Sequence, residues 1–143
     1  MTNYSPHLSL ALAAAISILG CGRGGPEIVP IEGTVTHDGE PVPNLRIYFV
    51  PTDGRPSWAI SDSSGHFVLD YDADHDGAKV GMHTVFVQNA GGDVDPTAAM
   101  SGAPRPKTSP AMAQITKKYG TKDTSPLQVE VKKADRNFQL KLD

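Results

Sequence analysis

The chain has 143 residues, the size of one domain, and its 14 Gly and 12 Pro favour short strands and turns over long helices. A total of 13 Lys and Arg stands against 16 Asp and Glu, for a net charge of −3; there is no basic stripe of the kind a phosphate backbone requires, which argues against nucleic acid as a partner. The single cysteine, Cys21, excludes an internal disulfide and any Cys-x-x-Cys metal or redox site.

The first element is an uncharged apolar run over 8–19, Leu-Ser-Leu-Ala-Leu-Ala-Ala-Ala-Ile-Ser-Ile-Leu. As a helix it would span roughly 18 Å, well short of the ~30 Å hydrocarbon core, so it reads as the apolar region of an export signal and not as a membrane span. It runs into Ile18-Leu19-Gly20-Cys21, which resembles the lipobox of bacterial lipoproteins: an aliphatic residue three before the cysteine, a small one directly before it, then the cysteine that is lipidated. Leu19 is bulkier than the usual residue there, and 1–7 carries no Lys or Arg. The expectation is a lipoprotein signal peptide over 1–20, with a lipidated Cys21 and flexible tether over 21–27. Each buried acyl CH₂ contributes about 0.8 kcal/mol, and two or more chains anchor stably, so the membrane would be reached through lipid on Cys21. The alternatives are an ordinary secretory signal cleaved nearby and a buried N-terminal helix.

From Ile28 onward apolar residues recur with period two, the signature of half-buried strands. Ile31, Gly33, Val35 and His37 share one face, and so do Leu45, Ile47 and Phe49; these two runs are expected to pair across the turn residues 38–43. Trp58 to Ser61 and His66 to Tyr71 read as a hairpin closed by Asp62-Ser-Ser-Gly65. The run 82–88 puts His83, Val85 and Val87 on one side. At the far end Leu127, Val129 and Val131, then Phe138, Leu140 and Leu142, read as a second hairpin. The sum is an all-β domain over 28–143, an antiparallel β-sandwich of about seven strands. The segment 90–113 has no aromatic, Leu or Ile and holds Pro96, Pro104, Pro106 and Pro110, so it is expected to be a mobile loop, with one or two helical turns following at 113–119.

Taken together, Ile31-Glu-Gly-Thr-Val-Thr-His-Asp-Gly-Glu-Pro-Val42, Ile47-Tyr-Phe-Val-Pro51, Ser61-Asp-Ser-Ser-Gly-His-Phe67, Gly77-Ala-Lys-Val-Gly-Met-His-Thr-Val-Phe-Val87, Thr124-Ser-Pro-Leu-Gln-Val-Glu-Val131 and Asn137-Phe-Gln-Leu140 resemble small lipoproteins of planctomycete bacteria. Those proteins are described as carboxypeptidase regulatory-like. The resemblance implies a transthyretin-like sandwich of the immunoglobulin-like class. It carries no catalytic residue, because the zinc ligands and glutamate of a peptidase domain have no counterpart here. The Tyr-Arg-Gly-Ser signature of the purine-pathway hydrolase that shares the fold is also missing from the end of this chain.

Four constellations are candidates for chemistry. Asp72-Ala-Asp74-His-Asp76-Gly77 matches the first half of a calcium loop, where alternate carboxylates converge on the ion, but position 12 is His83 where such a loop has a bidentate Glu; the alternative is a solvated acidic turn closing a hairpin between Phe67 and Val87. His37, His66, His75 and His83 lie on different strands or loops without metal-ligand spacing, and His37 and His83 read as hydrogen-bonded core or rim residues. Asp62, Ser63 and His66 share one tight turn, which rarely sets a nucleophile and its base with an oxyanion hole. Trp58, with Tyr48, Phe67 and Tyr71, is a candidate sugar-stacking surface, against core packing as the alternative.

The resulting expectation is a non-enzymatic, lipid-anchored β-sandwich protein at the periplasmic face or cell surface, without cofactor, with a structural or binding role at the cell envelope. The alternatives are a carbohydrate- or protein-binding module using Trp58, and a hydrolase of unknown substrate.

Overall fold

A computed structural model describes residues 24–92 and 108–143. The expected signal 1–20, Cys21 and positions 93–107 of the predicted loop lie outside the described residues. In chain order the strands are β1 (Ile28–Val29), β2 (Ile31–His37), β3 (Glu40–Pro41), β4 (Leu45–Pro51), β5 (Ser57–Ile60), β6 (His66–Val68), β7 (Asp70–Asp72), β8 (His75–Asp76), β9 (Ala78–Lys79), β10 (Gly81–Asn89), β11 (Gln128–Val131) and β12 (Asp135–Lys141). A 3₁₀ turn, Ala90–Gly92, follows β10, and one helix, α1 (Pro110–Tyr119), precedes β11.

The protein is mostly β, and its sheets are antiparallel with one exception. Six strands form one sheet in the order β11-β10-β4-β5-β7-β8. In the other, β2 is flanked by β12 on one side and by β3 and β6 on the other, and the β12–β2 pairing is parallel. The short β1–β9 ladder stands apart. Period-two patterning explains why both sheets feed one core: β4 buries Leu45, Ile47 and Phe49, β10 buries His83, Val85 and Val87, and β2 buries Ile31 and Val35. Phe67, Leu69, Val131, Leu140 and Leu142 complete the core, each aliphatic or aromatic side chain contributing about 1.5–3 kcal/mol of burial.

Several pairings differ from the sequence-based expectation. Among the described residues there are twelve short strands where about seven were expected. β2 and β4 do not pair: Asp38 (φ 51°) and Gly39 (φ 82°) close a tight turn onto β3, and the chain then crosses to the other sheet. Pro41 and Pro43 lack N–H groups, which keeps β3 to two residues. The expected hairpin of Trp58 to Ser61 with His66 to Tyr71 also splits. β6 joins β2, while β7 joins β5 with Trp58 opposite Asp70, and the chain changes sheets at Leu69, whose N–H donates to Ile31 O at 2.9 Å.

β11 and β12 do not form a hairpin: β11 pairs with β10, and β12 with β2. Alternation marks both segments as strands but is silent on partners, and β2 can receive β12 because Gly33 lets the Phe138 backbone approach. The acidic turn closes the small β7–β8 hairpin and not a hairpin between 67 and 87. The helix starts at Pro110, earlier than the expected 113, because Ser109 Oγ accepts the Met112 N–H at 3.1 Å and Pro110 suits the first turn. Thus both ends of the expected 90–113 loop are regular structure. Ile115 and Tyr119, one turn apart, seat α1 against β10.

Candidate functional site

The inward parity of β4, β5 and β10 leaves Arg46, Tyr48, Val50, Trp58, Ile60, Met82, Thr84, Phe86 and Gln88 on the outer face of the six-stranded sheet. Register then sets three aromatics in one row, with Phe86 opposite Tyr48 and Tyr48 opposite Trp58. The Tyr48 and Phe86 rings stack with centroids 4.6 Å apart, close to the ~4.8 Å strand spacing, and planes at 13°, so the two rings stand face to face. Between Tyr48 and Trp58, and lined also by Arg46, lies an open groove of about 260 Å³. Trp58 is 43% exposed, and Ile60 and Met82 extend the apolar surface.

Of the residues proposed from sequence, the fold brings Tyr48 and Trp58 together and leaves two elsewhere. Phe67 is in the core. Tyr71 points to the opposite side of the sheet from Trp58, is buried, and has the Arg55 guanidinium 5.5 Å from its ring centroid. Phe86 was missed, although a large aromatic on the solvent side of an otherwise regular alternation was a visible signal.

The acidic turn forms no ion cage. Asp72 Oδ1 accepts from the Asp74 N–H at 3.0 Å and from His75 Nδ1 at 2.7 Å, while Asp76 sits opposite Asp70 in the ladder. No group of three metal-ligating side chains converges among the described residues. The hydrogen bond from His75, then that from the Asp74 amide, holds the Asp72 carboxyl below its ordinary range; in return the Asp72 hydrogen bond and charge raise the His75 imidazole above its own. Such a pair stabilises the β7–β8 hairpin only between the two shifted pKa values. The contribution is lost as pH rises through that of His75 and as it falls through that of Asp72. An NMR titration of His75 is therefore expected to give a value above the ordinary imidazole figure of about 6.5, and Asp72→Asn is expected to bring it back. Identical titrations in both proteins would contradict the pairing.

His37, His66 and His83 lie on other elements. His83 is 1% exposed, donates from Nε2 to Lys79 O at 2.7 Å and lies tilted against Phe49. His37 donates from Nδ1 to Leu142 O, with Nε2 3.6 Å from Asp38. In the 61–66 turn Asp62 Oδ1 accepts from Ser64 N at 2.8 Å, Ser64 Oγ at 2.7 Å and the His66 backbone N–H at 3.0 Å. That is a turn cap, which engages the amide and not the imidazole of His66. A second hollow, about 350 Å³, lies between β3 with the segment that follows it and the start of α1, with Val42, Met112 and Ile115 among its apolar lining. Two of its polar groups are already used internally, His37 by Leu142 O and Asn89 Oδ1 by the Gly91 N–H at 3.0 Å.

The aromatic row Phe86–Tyr48–Trp58 is the candidate site. Compared with protein-family models, curated proteins and solved structures, the chain matches none.

Proposed function

We propose that the chain is a lipid-anchored, extracytoplasmic binding module that is not an enzyme, a transthyretin-like β-sandwich that engages a cell-envelope glycan through its outer aromatic face. The observation that carries the reading is the in-register row Phe86–Tyr48–Trp58 on a solvent-facing sheet. Exposed rings offer flat apolar faces to the C–H faces of pyranose sugars while their rims stay hydrated. The sandwich reading is supported by two sheets sharing one core, and the anchor by the Ile18-Leu-Gly-Cys21 motif after a short apolar run.

Trp58→Ala is expected to weaken retention on a panel of envelope polysaccharides by about tenfold or more, roughly 1.4 kcal/mol of lost stacking and burial. Because Trp58 is 43% exposed, the same change should cost less than about 1 kcal/mol of fold stability. Affinity electrophoresis with soluble glycans checks the first effect and urea denaturation the second; retention indifferent to Trp58→Ala rules the glycan reading out. The anchor has its own test, since Cys21→Ser should move the chain from the membrane to the soluble fraction and remove the mass of the acyl chains. Unchanged fractionation and mass would refute it.

A further inference from the structure

Past Trp58 the line of rings runs into negative charge. Asp70 on β7 stands directly opposite Trp58, and Asp76 on β8 stands opposite Asp70, so one line across the sheet reads Phe86–Tyr48–Trp58–Asp70–Asp76. Tyr71 is buried, and alternation therefore sends Asp70 to the outer side with Trp58. Asp72 is taken up by His75 and the Asp74 amide, but neither the Asp70 nor the Asp76 carboxylate has a hydrogen-bond or ion-pair partner among the described residues. Like charges directly opposite weaken a sheet, and a cation beside them relieves the repulsion. Building on the glycan reading above, we infer that the groove takes an amino sugar, a hexosamine with a free amine, its pyranose face against Trp58 and Tyr48 and its ammonium group beside Trp58 on Asp70.

Charge complementarity selects this occupant. Asp70 lies one strand spacing, about 4.8 Å, beyond Trp58, within reach of an amine carried on a ring that is stacked over the groove. An ammonium group there gains a charge-assisted hydrogen bond from the carboxylate and cation–π attraction from the indole, the strongest of the aromatic partners. Asp76 extends the acidic end toward the amine of a following sugar, and the chain's net charge of −3 draws a polycationic glycan as a whole. The cations nearby are already committed. His75 is on Asp72 and the Arg55 guanidinium is over the Tyr71 ring, while Arg46, engaged within the protein and with its Nε buried, stands two strands from Asp70, about 10 Å across the sheet. A basic peptide is disfavoured because β10, β4 and β5 have neighbours on both sides, so no free backbone ladder lies under the groove to receive an extended chain.

The test uses the full chain in detergent at about pH 5.5, where free carboxylates are ionised and sugar amines protonated. It measures binding of chito-oligosaccharides with free amines, the same oligosaccharides after N-acetylation, a neutral β-glucan of equal length, and polylysine. The free-amine form is expected to bind in a salt-sensitive manner, and the acetylated and neutral glycans at least about tenfold more weakly. Asp70→Asn should lower free-amine binding about tenfold, to near that of the acetylated form, while the variant, relieved of one of two facing charges, should be no less stable in urea. Binding of the acetylated or the neutral glycan as tight as that of the amine overturns the amino-sugar inference and leaves the glycan reading intact. Equal binding of polylysine overturns the inference as well, by showing a response to charge alone, and undiminished binding by Asp70→Asn overturns it by placing the amine elsewhere. Binding of no saccharide overturns both readings. The comparison of amine with acetamide needs only the unaltered chain, so it holds even if the Asp70 variant fails to fold.

Discussion

Replacing Phe49 by alanine is expected to remove about 3–5 kcal/mol of stability, the range for emptying a fully buried aromatic site. Phe49 is 0% exposed and touches elements of both sheets, its ring centroid 5.8 Å from that of Phe138 on β12 and 5.9 Å from that of His83 on β10. Edge-on contact with Phe138 adds about 0.5–1.5 kcal/mol beyond burial. Against a total of about 5–15 kcal/mol for a domain, a loss of this size lowers the melting midpoint by about 15 °C or more. Phe49→Leu, which keeps most of the volume, should fall well below that. Thermal and urea unfolding of the three proteins measure the difference, and an unchanged midpoint in the alanine variant would mean that the two sheets do not meet over Phe49.

Gly33→Val is expected to do comparable damage by the opposite route. A Cβ at Gly33 would sit 2.0 Å from Phe138 O and 2.7 Å from Phe138 C, both backbone atoms, so neither can swing aside. Relief requires β12 to retreat by more than 1 Å, the gap between such a contact and ordinary van der Waals separation of about 3.5 Å. That retreat opens the ladder in which Gln139, Leu140 and Lys141 face Thr34, Val35 and Thr36, and draws Leu140 and Leu142 out of the core. Losing part of two buried leucines on top of overpacking amounts to at least about 3 kcal/mol. Gly25→Ala is the control, since nothing lies within 4 Å of a Cβ there; it should stay within about 0.5 kcal/mol of the parent. Hydrogen exchange locates the damage: the Leu140 and Leu142 amides should lose protection first in the valine variant. Protection equal to that of the parent would show that β12 does not lie on Gly33.

Strand identity was legible because burial imposes period two on β2, β4 and β10, and alternate positions of each run are apolar or otherwise suited to the core. The buried site of His83 was legible for the same reason. Strand partnership was not, since alternation fixes which side of a strand is wet but not what lies beside it. Tyr71 shows the consequence for the site. From sequence it groups with Trp58, Tyr48 and Phe67 as a candidate sugar-stacking surface, yet the crossing at Leu69 changes β6 for β7, and the register of Asp70 against Trp58 then turns Tyr71 inward. Phe86 enters the row by the same kind of fact, its register opposite Tyr48. The Asp72, Asp74, Asp76 spacing was misleading because local hydrogen bonds use the carboxylate of Asp72 before any ion can.

The parallel seating of β12 beside β2 has a temporal consequence. His37 and Leu142 meet across 105 residues of chain, so the second sheet joins the earliest long strand of the domain to the last. Such non-local pairing makes folding slow, on the order of milliseconds to seconds, because the entropy of closing the long loop is lost before the contacts that reward it exist. During synthesis, β2 has its final neighbour only when the 135–141 stretch has left the ribosome. Until then the chain is an unfinished sheet with an open edge, exposed to aggregation. A domain wired in this way completes its core only after its final strand arrives.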